Sequence, residues 1–143
     1  MDYGWLIFAL LSAATAALVA IFGKIGLQNV DTNTATALRA IIMALFLVGL
    51  VVIQGNFSKI SDIMSDNKAL TFIVLSGIAG ALSWLFYFMA LKIGKASQVA
   101  PIDRLSVVFV IVLAFLFLGE KISLKAGIGA ALITAGAILI AIG

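Results

Sequence analysis

The chain has 143 residues, 64% of them hydrophobic and 10% charged, with a formal net charge of +3 and a mean hydropathy of +1.29. Those values exclude an ordinary soluble domain, and several apolar runs of about 20 residues have the length of bilayer-crossing helices. With no Cys and no His, a disulfide framework and thiolate chemistry are excluded, zinc and haem sites are disfavoured, and no metal or cofactor is expected.

The first apolar run, Gly4 to about Leu27, opens with Tyr3 and Trp5 as interfacial aromatics and is thinned by Ala13, Ala14, Ala16 and Ala17, which allow close helix contact. It is not read as a signal peptide, because Asp2 stands where a basic start belongs and the run is too long. After a polar connection at Asn29–Asn33, a helix capped by Thr32, Asn33 or Thr34 runs to about Ile53 and carries Arg39 in its second turn. In the longest connection, Gln54–Lys68, the residues Ile60, Ile63 and Met64 fall on one side of a short helix expected to rest on the membrane surface. The third span, about Ala69 to Leu91, ends at Lys92 and Lys95, cations favourably placed at a helix C-terminus.

Pro101 is comfortable as a first helical residue and would kink a helix that began at Ser97. Taken from Pro101, the fourth span has 18 residues to Leu118 and reaches about 27 Å at 1.5 Å per residue. A tight turn, Gly119–Ser123, leads into the fifth span, Leu124–Gly143. The expected fold is therefore an all-α integral membrane protein, a bundle of five transmembrane helices at about 4–27, 34–53, 69–91, 101–118 and 124–143, forming one domain over 1–143.

Successive spans alternate direction, so the N-terminus shares a side with the loops at 54–68 and 119–124, and the C-terminus shares the other with those at 28–33 and 92–100. The first side carries Lys59, Lys68, Lys121 and Lys125, and the second carries Lys24, Arg39, Lys92, Lys95 and Arg104. Four against five sets no orientation by the positive-inside rule. Lys24, Arg39, Asp103 and Arg104 all lie within apolar spans near the second side, where they could form one polar cluster at a mouth of the bundle. The plainer alternative is that Lys24 and Arg104 snorkel while Asp103 complements a helix N-terminus. Arg39 and Asp103 sit at depths where ionisable groups are functional or paired, and the two are expected to pair or to share water. Glu120, beside Lys121 in a tight turn, is read as a structural carboxylate.

On the third span Ser76, Gly80, Ser83, Trp84 and Tyr87 share one helical face. They form either a packing seam or the wall of a substrate cavity, in which Trp and Tyr supply apolar contact and a hydrogen-bonding edge.

The terminal half carries a further pattern: Gly94-Lys95-Ala96-Ser97, then Val99-Ala100-Pro101, an apolar helix, Leu118-Gly119-Glu120, and a Gly-rich helix from Gly127-Ile128-Gly129 to Gly136. In this order it resembles the repeat unit of the EamA family in the drug/metabolite transporter superfamily. Trp5, Lys24 and Arg39 extend the likeness over nearly the whole chain. Ser106-Val107-Val108-Phe109 stands where many members have Pro-Val-Phe. Typical members carry two repeats, so the resemblance implies half of a ten-helix fold. The last span also resembles the dimerising helix of the small multidrug resistance proteins, with Gly129 and Gly136 seven residues apart around Leu132-Ile133. Those two glycines are candidates for a dimer interface, or for a small-residue seam within one copy. The first span lacks the carboxylate through which those relatives couple protons, so that mechanism is not transferred.

The resemblance implies a small-metabolite or drug transporter in the cell membrane, working by alternating access as an antiparallel homodimer. The alternative is a non-transporting membrane subunit or lipid-handling component that joins a homologous partner. An enzyme is disfavoured, since no paired carboxylates, nucleophile with base, or phosphate-binding loop is present. No catalytic residue is assigned. Arg39, Ser83, Trp84, Tyr87, Asp103, Arg104 and Lys24 are the candidates for substrate binding or gating, and the expected partners are the bilayer, a small solute and a second copy, with no nucleic acid.

Overall fold

The computed structural model describes residues 4–143; Asp2 and Tyr3, named above, lie outside the described residues. Every regular element among them is helical. In chain order these are α1 (Gly4–Gly26), α2 (Thr32–Ile53), α3 (Lys59–Ser65), α4 (Asn67–Ile93), α5 (Ala96–Asp103), α6 (Ser106–Leu113) with a π-helical continuation at Ala114–Leu118, and α7 (Leu124–Ile142). Five helical segments are long and apolar enough to cross a bilayer: α1, α2, α4, the composite Ala96–Leu118, and α7.

Lipid is the only solvent that suits their surfaces. Phe8 and Phe22 on α1, Phe46 on α2 and Phe86 on α4 are all exposed, and each would forgo about 1.5–3 kcal/mol if left in water instead of an apolar medium. Helices are the form in which a chain can do this, because they satisfy backbone N–H and C=O groups internally. The hydroxyls within the spans follow the same rule. Thr15 donates to the carbonyls of Leu11 (2.9 Å) and Ser12 (3.0 Å), Thr36 to Thr32 (2.7 Å) and Thr134 to Ala130 (2.9 Å).

Helix ends are closed by short side chains and glycine. The cap of α2 is Asp31, upstream of the three residues that the sequence suggested. Its Oδ2 accepts from the Thr34 N–H and the Thr34 hydroxyl, both at 2.8 Å. Asp66 Oδ1 accepts from the N–H groups of Lys68 and Ala69 at 3.0 Å, and Ser123 Oγ accepts from Ala126 N–H at 3.1 Å. At the far end of α2, Gly55 adopts φ 68°. The Asn56 N–H then reaches the Val51 carbonyl (3.1 Å) and the Gly55 N–H reaches Val52 (3.0 Å), the paired bonds that stop a helix at a left-handed residue.

The fourth span departs most from the sequence reading. It begins at Ala96, five residues before Pro101, and therefore holds Pro101 inside α5. The composite segment has 23 residues, about 34 Å at 1.5 Å per residue, enough to cross the hydrocarbon core without shortfall. A proline inside a helix withholds an N–H and crowds the preceding turn, and the helix is interrupted three residues later, at Arg104 and Leu105. The bonds there are tighter, Arg104 N–H to Pro101 C=O (3.2 Å) and Leu105 N–H to Ile102 C=O (3.0 Å). Asp103 and Arg104 thus lie at a break inside a long span, instead of in the first turn of a shorter one. The π-helical turn ends at Gly119, φ 67°.

The chain divides into two compact units, one running through Ile25 and resuming at Ile93–Gly143, the other Gly26–Lys92. In the first, α5 packs on α7, and Gln98 Nε2 donates to the Ala141 carbonyl at 3.2 Å. Lys24 at the end of α1 donates from Nζ to the Gly94 carbonyl just before α5, at 2.8 Å. In the second, burial concentrates where α2 begins and α4 ends, at Leu27, Thr32, Phe88 and Leu91. There Lys92 Nζ donates to the Val30 carbonyl at 2.8 Å.

The Asp31 cap sets an acid limit. Hydrogen bonds from the Thr34 backbone and side chain hold its carboxyl below the ordinary value of 3.8, with a smaller contribution from Lys92. Because the folded-state value is the lower one, the cap's stabilisation is complete above the ordinary value and is lost as pH falls through the lowered one. Asp31→Ala should lower the melting temperature in detergent at pH 7, read by helical circular dichroism, and the gap to the unaltered protein should close as the pH falls through the lowered value of the Asp31 carboxyl.

Candidate functional site

The site is built in the second unit, just inside its well-packed end. Arg39 lies two turns beyond Thr32 on α2, and Trp84 lies one turn before the buried Phe88 on α4. The guanidinium carbon of Arg39 stands 3.8 Å from the centroid of the Trp84 ring and 5.0 Å from that of Phe88. Trp84 is held by its neighbours. Tyr87 meets it edge-on at 5.7 Å between ring centroids with planes 89° apart, and Phe88 lies at 5.5 Å and 44°. Tyr87 and Phe88 are themselves 5.9 Å apart. Three rings on two turns of one helix therefore make a platform for a cation carried by another.

The physical reason is the scarcity of other partners. A charge within an apolar span costs several kcal/mol unless it is answered, and the face of an indole offers an attraction of about 0.5–2 kcal/mol. This offsets part of the cost while leaving the guanidinium accessible. Arg39 makes no hydrogen bond to a described residue of its own unit; its contacts there are the two rings.

Beside this contact an open cleft of about 590 Å³ runs between α2 and α4. Its α2 wall includes Asn33, Thr36, Arg39, Ala40, Met43 and Leu47, and its α4 wall is Gly77, Gly80, Ala81, Leu82, Trp84 and Leu85. The cleft exists because α2 and α4 make little close backbone contact and meet largely through long side chains at one end. Small residues then leave the space empty: a Cβ added at Gly77 or Gly80 would meet nothing within 4 Å. A second open cleft of about 580 Å³ lies on the other flank of α2, lined by Asp31, Leu38, Arg39 and Ile42 among others, so Arg39 borders both.

The sequence candidates are distributed unevenly. Arg39, Trp84 and Tyr87 come together in this cluster. Ser83 is exposed and sits beside the cleft without lining it, because the wall follows the face 77, 80, 81, 84, 85, rotated from the face inferred from polar and aromatic side chains. Phe88, Gly77 and the alanines of α2 were missed, since nothing distinguishes them in sequence from packing residues; the i, i+4 spacing of Trp84 and Phe88 was the available signal. In the other unit Lys24 is bonded to Gly94, Asp103 is half-buried at the end of α5, and Arg104 is exposed at the helix break. Gly129 and Gly136 lie on α7, and neither approaches another part of the chain closely enough to require a glycine.

Trp84→Phe should preserve most of the platform, whereas Trp84→Ala should cost about 1–3 kcal/mol through loss of both the cation contact and the edge-on ring pair. Denaturation in mixed micelles measures this. A double-mutant cycle between Arg39→Gln and Trp84→Leu should return a coupling of about 0.5–2 kcal/mol; a coupling near zero would show that the contact contributes nothing.

No solved structure matches this chain. A Sinorhizobium sp protein described as an uncharacterized transporter in the cobO 3' region is 43% identical over 142 residues, covering 99% of each chain. An uncharacterized protein of Methanocaldococcus jannaschii is 36% identical over 97 residues, covering 67% of this chain and 71% of that one. The family model described as EamA-like transporter matches residues 3–142, and with this and the Sinorhizobium relative the chain belongs to the EamA-like transporter family of membrane proteins.

Proposed function

We propose that the protein carries a small solute across the cell membrane by alternating access, with the α2/α4 cleft as part of the solute path and no covalent chemistry. The observation that supports this most is the cleft itself: an accessible guanidinium on an aromatic platform, within two membrane-spanning helices, beside a space of about 590 Å³. Solute pockets of about 300–1,000 Å³, mostly apolar with few polar groups, have this character. Lys24, Asp103 and Arg104, on α1 and at the break in the fourth span, are assigned to gating. Interrupted spans are where transporters of several folds place their moving or binding parts.

The working unit in this reading is an antiparallel homodimer. Five spans make an odd number, so a second copy inserted upside down reproduces the inverted relation that two-repeat transporters build into one chain. Gly129 and Gly136 offer an approach surface, since a Cβ added at either would meet no described residue within 4 Å. The Lys/Arg balance, four against five, permits both insertions.

Two experiments test these statements separately. Gly80→Leu projects a side chain into the cleft from a position where a Cβ meets nothing within 4 Å and replaces glycine by a better helix former, so the protein should stay folded and stable. Solute counterflow into vesicles containing the purified protein should nonetheless fall at least tenfold; unaltered flux would remove the cleft from the path, and no flux of any solute by the unaltered protein would leave a non-transporting subunit. For orientation, a Cys added at the C-terminus of this Cys-free chain should be labelled by an impermeant reagent from both sides of sealed vesicles. Labelling from one side alone would replace the antiparallel dimer with a fixed topology.

A further inference from the structure

We infer that the α2/α4 cleft recognises an organic anion, a carboxylate or phosphate group on a partly apolar body, through the edge of Arg39 while Trp84 supports its face. The inference rests on the cleft being the solute site and deepens that reading by naming the class of solute.

Charge is the first ground. Among the residues lining the cleft Arg39 is the single ionisable one; the remaining polar side chains are Asn33 and Thr36, and no acid is present. On the opposite flank of α2 the carboxylate of Asp31 is occupied in capping, accepting from the Thr34 N–H and hydroxyl at 2.8 Å each. The cleft therefore offers a visitor an uncompensated positive charge in surroundings where its attraction is stronger than in water.

Geometry is the second. The Trp84 ring, 3.8 Å from the Arg39 Cζ, receives the cation without taking a directed hydrogen bond of the kind an oxygen accepts. A guanidinium has five N–H donors in a planar fork that matches the two oxygens of a carboxylate or phosphate. None of those donors is bonded to a described residue of the same unit, so the platform fixes the group and leaves the fork available. A lysine could not be held in this way, because its ammonium is a point charge without a stacking plane. Space is the third ground. About 590 Å³ exceeds what an inorganic anion fills, and the walls beyond Arg39 are apolar, with Gly77 and Gly80 presenting open backbone. A solute with an anionic head near Arg39 and an apolar or aromatic body along the glycines fits both ends.

Binding is read in detergent, independently of transport, from the emission of Trp84 in full-length protein carrying Trp5→Phe, which leaves Trp84 as the sole indole. Phenylacetate should change that emission saturably and bind at least tenfold more tightly than phenethylamine, a cation of nearly the same shape. Arg39→Gln should abolish the preference, and Arg39→Lys should keep its sign with weaker affinity. If Arg39→Gln does not fold, the anion and cation comparison on the parent protein and the lysine variant still decide. Equal response to both probes, or a preference unchanged in Arg39→Gln, overturns the inference; so does a parent protein silent to phenylacetate in neutral detergent and in the lipid arm. In that arm nanodiscs of phosphatidylcholine are compared with nanodiscs containing phosphatidylglycerol. Competition by the anionic lipid assigns the anionic group to a headgroup, whereas phenylacetate binding indifferent to it assigns the group to a free solute. An anion preference in a protein that moves no solute would sink the transport reading and spare this one, and flux confined to cations would do the reverse.

Discussion

The absence of water from the hydrocarbon core is the constraint on which every other feature here depends. It requires each span to satisfy its own backbone, as a helix does, turns hydroxyls such as Thr15, Thr36 and Thr134 back onto carbonyls of the preceding turn, and requires an answer for each charge that enters a span. Two answers are visible. Lys24 is long enough to reach the Gly94 carbonyl at a helix start, which ties two segments of its unit together. Arg39 is answered by π-faces, which attract the cation without spending its donors on an oxygen. The same physical demand thus yields a bond to a carbonyl oxygen in one case and a contact with aromatic faces in the other.

That difference explains what was legible in the sequence. The five apolar runs, the short helix at Lys59–Ser65 and the all-helical class follow from composition and periodicity, because bilayer thickness and backbone closure leave few alternatives. Trp84 and Arg39 stood out because large aromatics and charges are rare within such helices. The cap at Asp31 and the start at Ala96 did not, since they depend on local competition: Asp31 outcompetes its polar neighbours through a second bond to the Thr34 hydroxyl, and Pro101 is tolerated inside a helix that is about to break. Ser83 illustrates the limit of reading a face from polarity. A cleft wall is defined by where neighbouring side chains are absent, so Gly77, Gly80 and Ala81 make it, and a hydroxyl beside them does not mark it.

Glycine separates the roles of the two helices on which it matters. On α4, Gly77 and Gly80 border the cleft, and on α7 a Cβ added at Gly129 or Gly136 would meet no described residue within 4 Å. A glycine within a helix costs about 1 kcal/mol relative to alanine, a cost that close packing within the chain would ordinarily repay. At none of these four positions does such packing exist. The space beside Gly77 and Gly80 is apolar with a charge at one end, which suits a guest with an ionic head better than a helix; that beside Gly129 and Gly136 lies along Leu132 and Ile133, which favours another apolar surface. The chain therefore presents two kinds of open space, and in the reading proposed above a solute fills the first and a second chain the second.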